Sequence, residues 1–422
     1  MTAHSLRAAG AATRVDADRL RRDFDELATI GGTADGGVRR TTFSDSHLAA
    51  RAWFLERATV AGLEARVDAA GNHSAVLPAA SPAARTLLVG SHLDSVPTGG
   101  RYDGALGVVA ALEALRAVKD AGLELPVSLE AIDFTDEEGS LVGLLGSRAL
   151  AGTLTPEILR APRGGRDGLA SGLARAGLTE HGLAHARREP ATLAGYLELH
   201  IEQGPVLERE RIDIGVVTAI AGSRSFRLSF DGERRHAGTT PMGARKDAAL
   251  GAARLVVAVE QTVVRDFPGC VATVGDIAIE PGAFNVVPGR AQLALEFRSP
   301  DLRRLEALEA ALLAAAAREA SAAGLTLGVE PVGRWEPTEL DRSVRGAIAE
   351  AAHAVGVSTL ELVSGAGHDA QALAAVTPSG MIFVRSVGGV SHDPAEHTHW
   401  QDCVNGANVL LATVLALADA AG

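Results

Sequence analysis

The sequence predicts an α/β protein whose mostly parallel mixed sheet carries helices on both faces and is interrupted by a smaller inserted domain. Two observations support this fold class. Apolar, strand-like runs alternate with helical patterns over residues 64–220, which is typical of a parallel sheet. Residues 221–333 then supply about four strands and two helices, the content of a small α/β sandwich with an antiparallel sheet. We therefore predict a larger domain from residues 1–220 and 334–422, with the smaller one inserted in it.

Periodicity and capping residues predict the individual elements in order. Residues 15–63 show helical spacing around a glycine-rich loop, and a helical pattern at 106–119 directly follows Asp103-Gly104. Residues 151–190 are rich in glycine and arginine and are predicted to form a helix-bearing surface excursion outside the core. The inserted segment is predicted to contain strands at 226–230, 270–279 and 291–297 and helices at 246–264 and 301–323, the last with Asp301 as its N-cap.

The first chemically informative segment, residues 90–104, reads GSHLDSVPTGGRYDG. It follows an apolar run that predicts a buried strand, and it contains His92, Asp94 and Asp103. His and Asp side chains together suit zinc and similar metals, and the carboxyl ends of strands are where open α/β sheets place their active sites. Taken alone, the segment is equally compatible with a buried strand, a hydrogen-bonded histidine and a glycine-rich turn.

Three further apolar runs end in the same way. Each is followed by histidine or carboxylate residues and has glycine nearby, in TDEEG at 135–139, HIEQG at 200–204 and GGVSHDPAE at 388–396. Adjacent carboxylates repel one another and need a cation or full solvation, so an exposed acidic turn is the alternative for TDEEG. Four such strand ends are difficult to explain without a shared site. The sequence therefore predicts a metal site built from several strand ends.

Composition excludes several classes of function. The net charge is −12 and no long basic run occurs, which argues against nucleic acid and anionic membranes as partners. Cys270 and Cys403 provide no disulfide framework and suit a reducing cytoplasm. Charged residues such as Arg7 and Arg14 interrupt any signal-peptide core, and no uncharged apolar stretch reaches about 18 residues. We expect a cytoplasmic protein without a transmembrane helix.

Together these motifs resemble the N-carbamoyl-L-amino acid hydrolases and allantoate amidohydrolases. With β-ureidopropionase, these enzymes form the hydantoinase/carbamoylase branch of the dinuclear-zinc aminoacylase and carboxypeptidase superfamily. The resemblance rests on GSHLDSVPTGGRYDG, DFTDEEG, ELHIEQGPVLE, HAGTTPM, SGAGHDA and SHDPAE, in that order between His92 and Glu396. It implies a zinc-exopeptidase-like catalytic domain and an inserted lid domain that also forms a homodimer.

The resemblance also implies an activity. The expected reaction is metal-dependent cleavage of the ureido C–N bond of an N-carbamoyl-L-amino acid or allantoate, with release of ammonia. The substrate would be a small molecule that carries a ureido group and a carboxylate. A β-ureidopropionase, or an aminoacylase or peptidase of the same superfamily, is the alternative.

The resemblance assigns a pair of divalent metal ions to each subunit, zinc first, with manganese or cobalt as alternatives. Its five ligands include Asp103 as the bridge between the ions: His92, Asp103, Glu138, His200 and His392. Glu137 is left free to act as general base and acid while a metal-bridged hydroxide attacks the ureido carbon. Asp94 would orient the imidazole of His92. His397 and His399 compete with His392 for the last ligand position, and His397 stands where the family usually has an aromatic residue.

Substrate contacts are implied for six residues: Gln203, His236, Asn285, Arg298, Gly367 and His368. Arg298 would pair with the substrate carboxylate through both arms of its guanidinium, and an exposed charge at a strand end is the alternative. His236 would complete the site of the partner subunit and polarise the scissile carbonyl, which makes it catalytic as well. Gly367 would let backbone N–H groups approach an anionic group. Arg234 departs from the small residue that the family usually has two positions before the lid histidine.

Overall fold

The computed structural model describes residues 13–421, in which the chain forms two compact units. The first unit contains the described residues up to Thr218 and those from Leu340 onward, and the second is Ala219–Glu339. The predicted boundaries fall after residues 220 and 333. The α/β class with a mostly parallel central sheet is confirmed. Arg7, which contributed to the expectation of no signal peptide, lies outside the described residues.

Strands and helices are named here in chain order. The strands are β1 (Glu64–Val67), β2 (His73–Leu77), β3 (Thr86–His92), β4 (Ser128–Phe134), β5 (Leu193–Ile201), β6 (Ile214–Ile220), β7 (Gly222–Asp231), β8 (Arg235–His236), β9 (Val271–Glu280), β10 (Val286–Val287), β11 (Arg290–Ser299), β12 (Thr326–Trp335), β13 (Thr338–Glu339), β14 (Thr359–Ser364) and β15 (Ser379–Val384). The helices are α1 (Ala17–Thr29), α2 (Asp45–Val60), α3 (Ala105–Asp120), α4 (Leu145–Ala151), α5 (Pro156–Arg160), α6 (Arg166–Arg175), α7 (Glu180–Leu183), α8 (Val206–Glu210), α9 (Ala248–Asp266), α10 (Leu302–Ala322), α11 (Arg342–Val355), α12 (Asp369–Leu373) and α13 (Trp400–Ala421).

The large sheet has a parallel centre and antiparallel edges. Its strand order is β1-β2-β4-β3-β5-β15-β6-β13, with β14 paired to β6. The neighbours β4, β3, β5 and β15 run parallel, whereas β2 and β6 are antiparallel to the strands beside them. Because parallel strands end at the same edge of a sheet, the segments that follow β3, β4, β5 and β15 are brought to one edge. This topology positions the four strand ends that the sequence singled out.

Helix α3 begins beside the first of these strand ends. Residues 105–118 are all buried, as expected for a helix that crosses the core. Gly104, directly before the helix, has φ +64°, and a Cβ atom there would lie 2.5 Å from the ring of His92. Glycine therefore permits both the left-handed backbone and the close approach of the helix start to this imidazole.

Helix α13 is long and apolar enough to cross a membrane, judged by length and composition alone. It packs against α3 and α11 in the core of the first unit, where Cys403, Leu410 and Val414 are fully buried. Asp402 and Asp419 lie near its two ends. A helix buried in this way is typical of the core of a globular protein.

Residues 151–190 carry helices, as predicted, and they contribute no residue to the main core cluster of the first unit. The segment forms α5, α6 and α7, and its buried leucines Leu169, Leu173 and Leu183 join a second apolar cluster with residues from outside the segment, such as Phe43 and Leu145. The abundance of glycine and arginine did not indicate this second cluster.

The second unit consists of an antiparallel four-stranded sheet in the order β12-β7-β11-β9, together with helices α9 and α10. Strands β7 and β11 alternate buried and less buried residues, which confirms the predicted strand periodicity. Asp301 accepts a hydrogen bond from the backbone N–H of Arg304 and caps α10 as predicted. Helix α9 starts at Ala248 rather than at residue 246, because Asp247 is its N-cap. A separate two-stranded ladder, β8-β10, pairs His236 with Val286.

Candidate metal centre

The five predicted metal ligands lie together at the carboxyl edge of the parallel strands. His92 is the last residue of β3 and His200 lies near the end of β5. Asp103 precedes α3, Glu138 follows β4, and His392 follows β15. The two strand histidines are 1% exposed, and His392 is half exposed.

Three of these residues form one compact group. The Nε2 atom of His200 lies 3.0 Å from Oδ1 of Asp103, and Nε2 of His92 lies 3.5 Å from the same oxygen. All three ligand atoms lie within 4.8 Å of one another. Two imidazole nitrogens and one carboxylate oxygen at this spacing suit a single divalent ion such as Zn²⁺.

A second group uses the other oxygen of the same carboxylate. Nε2 of His392 lies 3.3 Å from Oδ2 of Asp103 and 3.4 Å from Oε2 of Glu138. His392 has a φ of +57°, so its backbone is in the left-handed region that disfavours a residue with a Cβ atom. Asp103 belongs to both groups and presents one oxygen to each. This is the arrangement that a bridging carboxylate between two ions requires.

Hydrogen bonds on the far side of the two strand histidines fix which nitrogen faces Asp103. Nδ1 of His92 lies 3.0 Å from the backbone oxygen of Asp94, and Nδ1 of His200 lies 2.9 Å from that of Ile201. A carbonyl oxygen can only accept, so Nδ1 carries the proton and Nε2 is the unprotonated nitrogen, which in His200 accepts the backbone N–H of Gly104 at 3.3 Å. Among the described residues, the buried Nε2 of His92 has no hydrogen-bond partner. A metal ion would satisfy that lone pair, so the residues present fit the implied group.

Asp94 contacts this site differently from its predicted role. Its carboxylate oxygen lies 3.7 Å from Nδ1 of His92, beyond hydrogen-bonding distance. The carboxylate instead accepts the backbone N–H groups of Glu137 and Glu138, both at 3.2 Å, and the hydroxyl of Thr42 at 3.0 Å. Asp94 therefore orients His92 through its main-chain carbonyl, while its side chain holds the acidic loop after β4.

Glu137 lies beside the metal ligands without joining them. Its Oε2 atom is 3.5 Å from Nε2 of His92. Glu137 is not a member of either ligand group found among the described residues. Burial, opposed by the charge of His92, raises the pKa of Glu137 well above its usual range. A buried carboxylate with a raised pKa next to a metal group has the position and the proton affinity of a general base and acid.

The electrostatics of the cluster indicate a need for positive charge. Burial, followed by the negative charge of Asp103, raises the pKa of Glu138 to about 7. Burial would also raise the pKa of Asp103, but the imidazoles of His200, His392 and His92 lower it well below the usual range. The hydrogen bond from His392 to Asp103 and the charge of Glu138 raise the pKa of His392 to about 9. Carboxylates packed this closely are stabilised by bound cations.

The predicted substrate residues of the first unit lie close to the ligands. Gln203 donates from Nε2 to Oδ2 of Asp103 at 2.9 Å, and its φ is +58°. The ring of His368 lies edge-on, 4.5 Å from that of His200, and its Nε2 is 2.9 Å from the hydroxyl of Ser364. Burial, with the nearby charge of His200, lowers the pKa of His368 well below its usual range. Gly367 directly precedes His368, the N-cap of α12.

Three predicted substrate residues lie in the second unit. His236 and Asn285 are brought together by the β8-β10 ladder, where the backbone oxygen of Asn285 accepts the N–H of Ala237 at 2.9 Å. The side chain of His236 is exposed, and Asn285 is exposed too. Arg298 lies apart, near the end of β11, and pairs with Glu296 through Nε at 2.9 Å and Nη2 at 2.6 Å. This pair was not predicted, although Glu296 stands two residues away on the same face of the strand, which was the available signal.

The sequence also left two residues of the last loop without a role. Ser391 and Glu396 were part of the quoted motif, yet only His392 between them was assigned. Glu396 is 4% exposed and accepts the backbone N–H groups of Tyr102 and Asp103. Its position four residues after His392 was the available signal, since a buried glutamate beside a ligand loop needs hydrogen-bond donors.

Comparison with known proteins supports what this geometry indicates. Residues 88–416 match the model of peptidase family M20/M25/M40. The chain belongs to the peptidase M20 family. Members of the family are metal-dependent hydrolases, so the predicted resemblance and the enzymatic, hydrolytic nature of this protein are confirmed.

Relatives and a solved structure cover nearly the whole M20 chain. It is 38% identical to an N-carbamoyl-L-amino acid amidohydrolase of Geobacillus stearothermophilus, over 96% of this chain and 99% of that one. It is 35% identical to a ureidoglycolate hydrolase of Arabidopsis thaliana, over 96% and 87% of the two chains. The crystal structure of a hydantoinase/carbamoylase family amidase from Burkholderia multivorans matches with a TM-score of 0.89 and 38% identity, over 96% of this chain and 99% of that one.

Proposed function

We propose that this M20 protein is a metal-dependent amidohydrolase that cleaves the ureido C–N bond of an N-carbamoyl-L-amino acid and releases ammonia. The observation that carries the proposal is the pair of ligand groups that share Asp103, with Glu137 alongside but outside both. The name of the Geobacillus relative supports the substrate class. Allantoate and the substrate of the Arabidopsis relative, ureidoglycolate, also carry a ureido group and a carboxylate, and they are the competing substrates.

His92, His200 and Asp103 would hold one ion, and Asp103, Glu138 and His392 would hold the other. Zinc suits these ligands first, and manganese and cobalt suit them as alternatives. When bound, such ions supply a nucleophilic water at neutral pH and stabilise the charge that develops on the ureido oxygen. Both strand histidines present an unprotonated Nε2 because main-chain oxygens hold their Nδ1 protons; an ion would take the place of the long bond that Nε2 of His200 accepts from the N–H of Gly104.

Glu137 would move the proton. Its carboxylate would accept a proton from the attacking water and return it to the leaving nitrogen. The two hydrogen bonds from the acidic loop to Asp94 keep the Glu137 backbone in place during this transfer. Because the side chain is only 10% exposed, bulk water is largely excluded from the carboxylate.

Substrate binding is assigned from the chemistry of individual side chains. We assign the carboxylate of the substrate to Arg298 and its ureido group to Asn285, Gln203, His368 and the backbone at Gly367. Arg298 matches this role chemically because a guanidinium pairs with a carboxylate through two parallel hydrogen bonds. In the free enzyme Glu296 occupies this guanidinium, so the substrate carboxylate must replace or share that partner.

A homodimer through the second unit would bring His236 to the partner's site. Strand β9 is an edge of its sheet, and nearly all of its residues are exposed. Between β9 and α9 lies an open groove of about 520 Å³ whose lining includes Val264 and Val271, exposed by 74% and 59%. Unpaired strand edges and exposed apolar patches are typical of surfaces that bind another chain. A second copy of β9 and α9 would pair with the exposed edge of β9 and cover the apolar groove.

One assay tests the activity. Purified protein is stripped of metal, loaded with Zn²⁺, Mn²⁺ or Co²⁺, and assayed for ammonia release from N-carbamoyl-L-amino acids, N-carbamoyl-β-alanine, allantoate and ureidoglycolate. The proposal expects the highest kcat/KM with an N-carbamoyl-L-amino acid. If one of the other ureido compounds has a higher kcat/KM, that compound replaces the N-carbamoyl-L-amino acid as the proposed substrate. Cleavage of N-acyl amino acids or dipeptides alone would replace the proposal with the aminoacylase or peptidase alternative.

Mixing two inactive variants tests the dimer. If His236 acts in the partner's site, His236→Ala and Glu137→Gln subunits should complement each other, because each mixed dimer holds one site with both native residues. Random exchange would restore about a quarter of wild-type activity. If each subunit works alone, mixing restores no activity and His236 has no role across the interface.

A further inference from the structure

Glu396 holds two ligand-bearing segments with one carboxylate. Its Oε1 atom accepts the backbone N–H groups of Tyr102 at 2.9 Å and Asp103 at 3.1 Å. Its Oε2 atom accepts the hydroxyl of Ser391 at 2.9 Å. The side chain is buried, and a Cβ atom at Gly100 would overlap its carboxylate. The loop before α3 is therefore shaped around this one acid.

The direction of the Ser391 hydroxyl depends on that contact. Its oxygen lies 3.3 Å from Oδ2 of Asp103 and 2.9 Å from Glu396, but a hydroxyl has one proton to donate. The shorter bond goes to the carboxylate of Glu396. The lone pairs of Ser391 are then left to accept from Nε2 of Gln203 at 3.1 Å.

This direction matters for the second ligand group. Oδ2 of Asp103 already accepts one hydrogen bond from Gln203 at 2.9 Å, and it faces His392 at 3.3 Å. A second donor on this oxygen would occupy the lone pair that an ion between Asp103, Glu138 and His392 needs. By taking the Ser391 proton, Glu396 keeps that lone pair available.

We propose that Glu396 is a positioning residue for the metal centre, which holds the backbone of Asp103 and turns the Ser391 hydroxyl away from its Oδ2 atom, so that the second ion can bind. The inference rests on the proposed dinuclear centre. It assigns Glu396 no contact with substrate or metal. Its effect should be largest on the ion held by His392 and Glu138, because Ser391 lies against Oδ2 of Asp103, whereas the two strand histidines face Oδ1.

Glu396→Gln is the main test because it keeps the shape and one acceptor oxygen. Its amide would donate to Ser391, so the hydroxyl proton would turn towards Asp103. Chelator-treated protein is titrated with Zn²⁺ by calorimetry, and bound metal is counted by mass spectrometry. We expect one ion to bind as in the wild type and the other to weaken by about 10- to 100-fold, the usual effect of losing a residue that orients ligands.

A second substitution separates this role from a merely structural one. In Glu396→Gln with Ser391→Ala, no hydroxyl can compete for Oδ2, so the affinity for the second ion should return towards the wild-type value. Asp213→Asn is the matched control, since Asp213 likewise accepts the backbone N–H and hydroxyl of one serine, Ser358, away from the ligands. It should lower the thermal midpoint without changing the metal titration.

The results that overturn the inference are distinct from those that overturn the metal centre. Wild-type protein that never binds two Zn²⁺ ions removes the dinuclear centre itself. The proposed role of Glu396 is excluded if Glu396→Gln binds both Zn²⁺ ions with wild-type affinity. It is also excluded if the double variant does not recover affinity for the second ion. Should Glu396→Gln fail to fold, Ser391→Ala alone still decides. It should bind both ions within about threefold of wild type, whereas a tenfold gain would mean that the hydroxyl already points at Asp103 in the native protein.

Discussion

The two units differ in how firmly they hold the residues assigned to the reaction. In the first unit, His92 and His200 are buried, and each has its outer nitrogen tied to a main-chain oxygen. In the second unit, His236 is exposed, and its ring nitrogen accepts only the nearby N–H of Gly238 at 3.1 Å among the bonds described for it. Arg298 pairs with Glu296 on its own strand. The candidate metal ligands therefore all lie in one unit and are mostly buried, whereas His236 and Asn285 of the other unit are exposed.

The largest effect is expected at the shared carboxylate. Asp103→Ala should lose both ions and reduce activity to background. The substitution removes one ligand oxygen from each group, because Asp103 belongs to both. Metal content per chain, measured after dialysis against trace Zn²⁺, checks this. A variant that retains two ions would contradict this prediction, because the first unit would then bind both ions without the carboxylate that the two ligand groups share.

Two histidines in the last loop provide the control for that experiment. His392→Ala should lose one ion, since its Nε2 atom faces Asp103 and Glu138. His397→Ala should keep both, because its Nδ1 atom lies against the hydroxyl of Tyr102 at 3.4 Å and it belongs to neither ligand group. The reverse pattern would move the ligand position to His397.

The next effect concerns chemistry rather than metal binding. Glu137→Gln keeps every ligand, so the metal content should stay at the wild-type value. Loss of the base should lower kcat by about 10²-fold or more, as general acid–base groups usually contribute that much. Stopped assays at matched metal content measure it. If this variant turns over at the wild-type rate, another group of the site, not Glu137, must act as the base.

A smaller effect is expected in the second unit. Arg298→Lys keeps the positive charge but loses the two parallel hydrogen bonds to a carboxylate, so KM should rise about tenfold with metal content unchanged. Arg290→Lys is the matched control on the same strand, where the guanidinium lies near Asp231 at 3.7 Å. Equal KM values for the two variants would mean that Arg298 serves only as the partner of Glu296.

Sequence patterns could predict the convergence of ligands but not the contacts around them. Four apolar runs with histidines or carboxylates at their ends were sufficient to predict one edge of a parallel sheet, because that geometry follows from strand direction alone. The hydrogen bonds of Asp94 and Ser391 depend on side-chain rotamers and on loops that meet only after folding. The positive φ of His392 is likewise a consequence of the folded loop, since a histidine residue does not by itself predict a left-handed backbone.

The smallest expected effect separates the units by their response to acid. His47 in α2 is fully buried, and its Nδ1 atom accepts the backbone N–H of Phe43 at 2.8 Å, so it is held neutral. Burial, together with the charge of Arg51, lowers its pKa well below 6.5. The unfolded chain therefore binds a proton that the folded chain refuses, and stability should fall as pH drops below about 6.5, by at most about 1.4 kcal/mol per pH unit for this group.

The acid effect of His47 belongs to the first unit, and the second unit contains a single histidine, the exposed His236. Denaturant unfolding of metal-free protein at pH 7.5, 6 and 5 measures the acid effect, followed through tryptophan fluorescence in a Trp335→Phe background, in which Trp53 and Trp400 of the first unit report. Because His47→Gln cannot take up the proton, the gap in unfolding free energy between the wild type and this variant should narrow as the pH falls. A constant gap for His47→Gln would mean that the imidazole is protonated in the folded protein, with its bond to Phe43 broken.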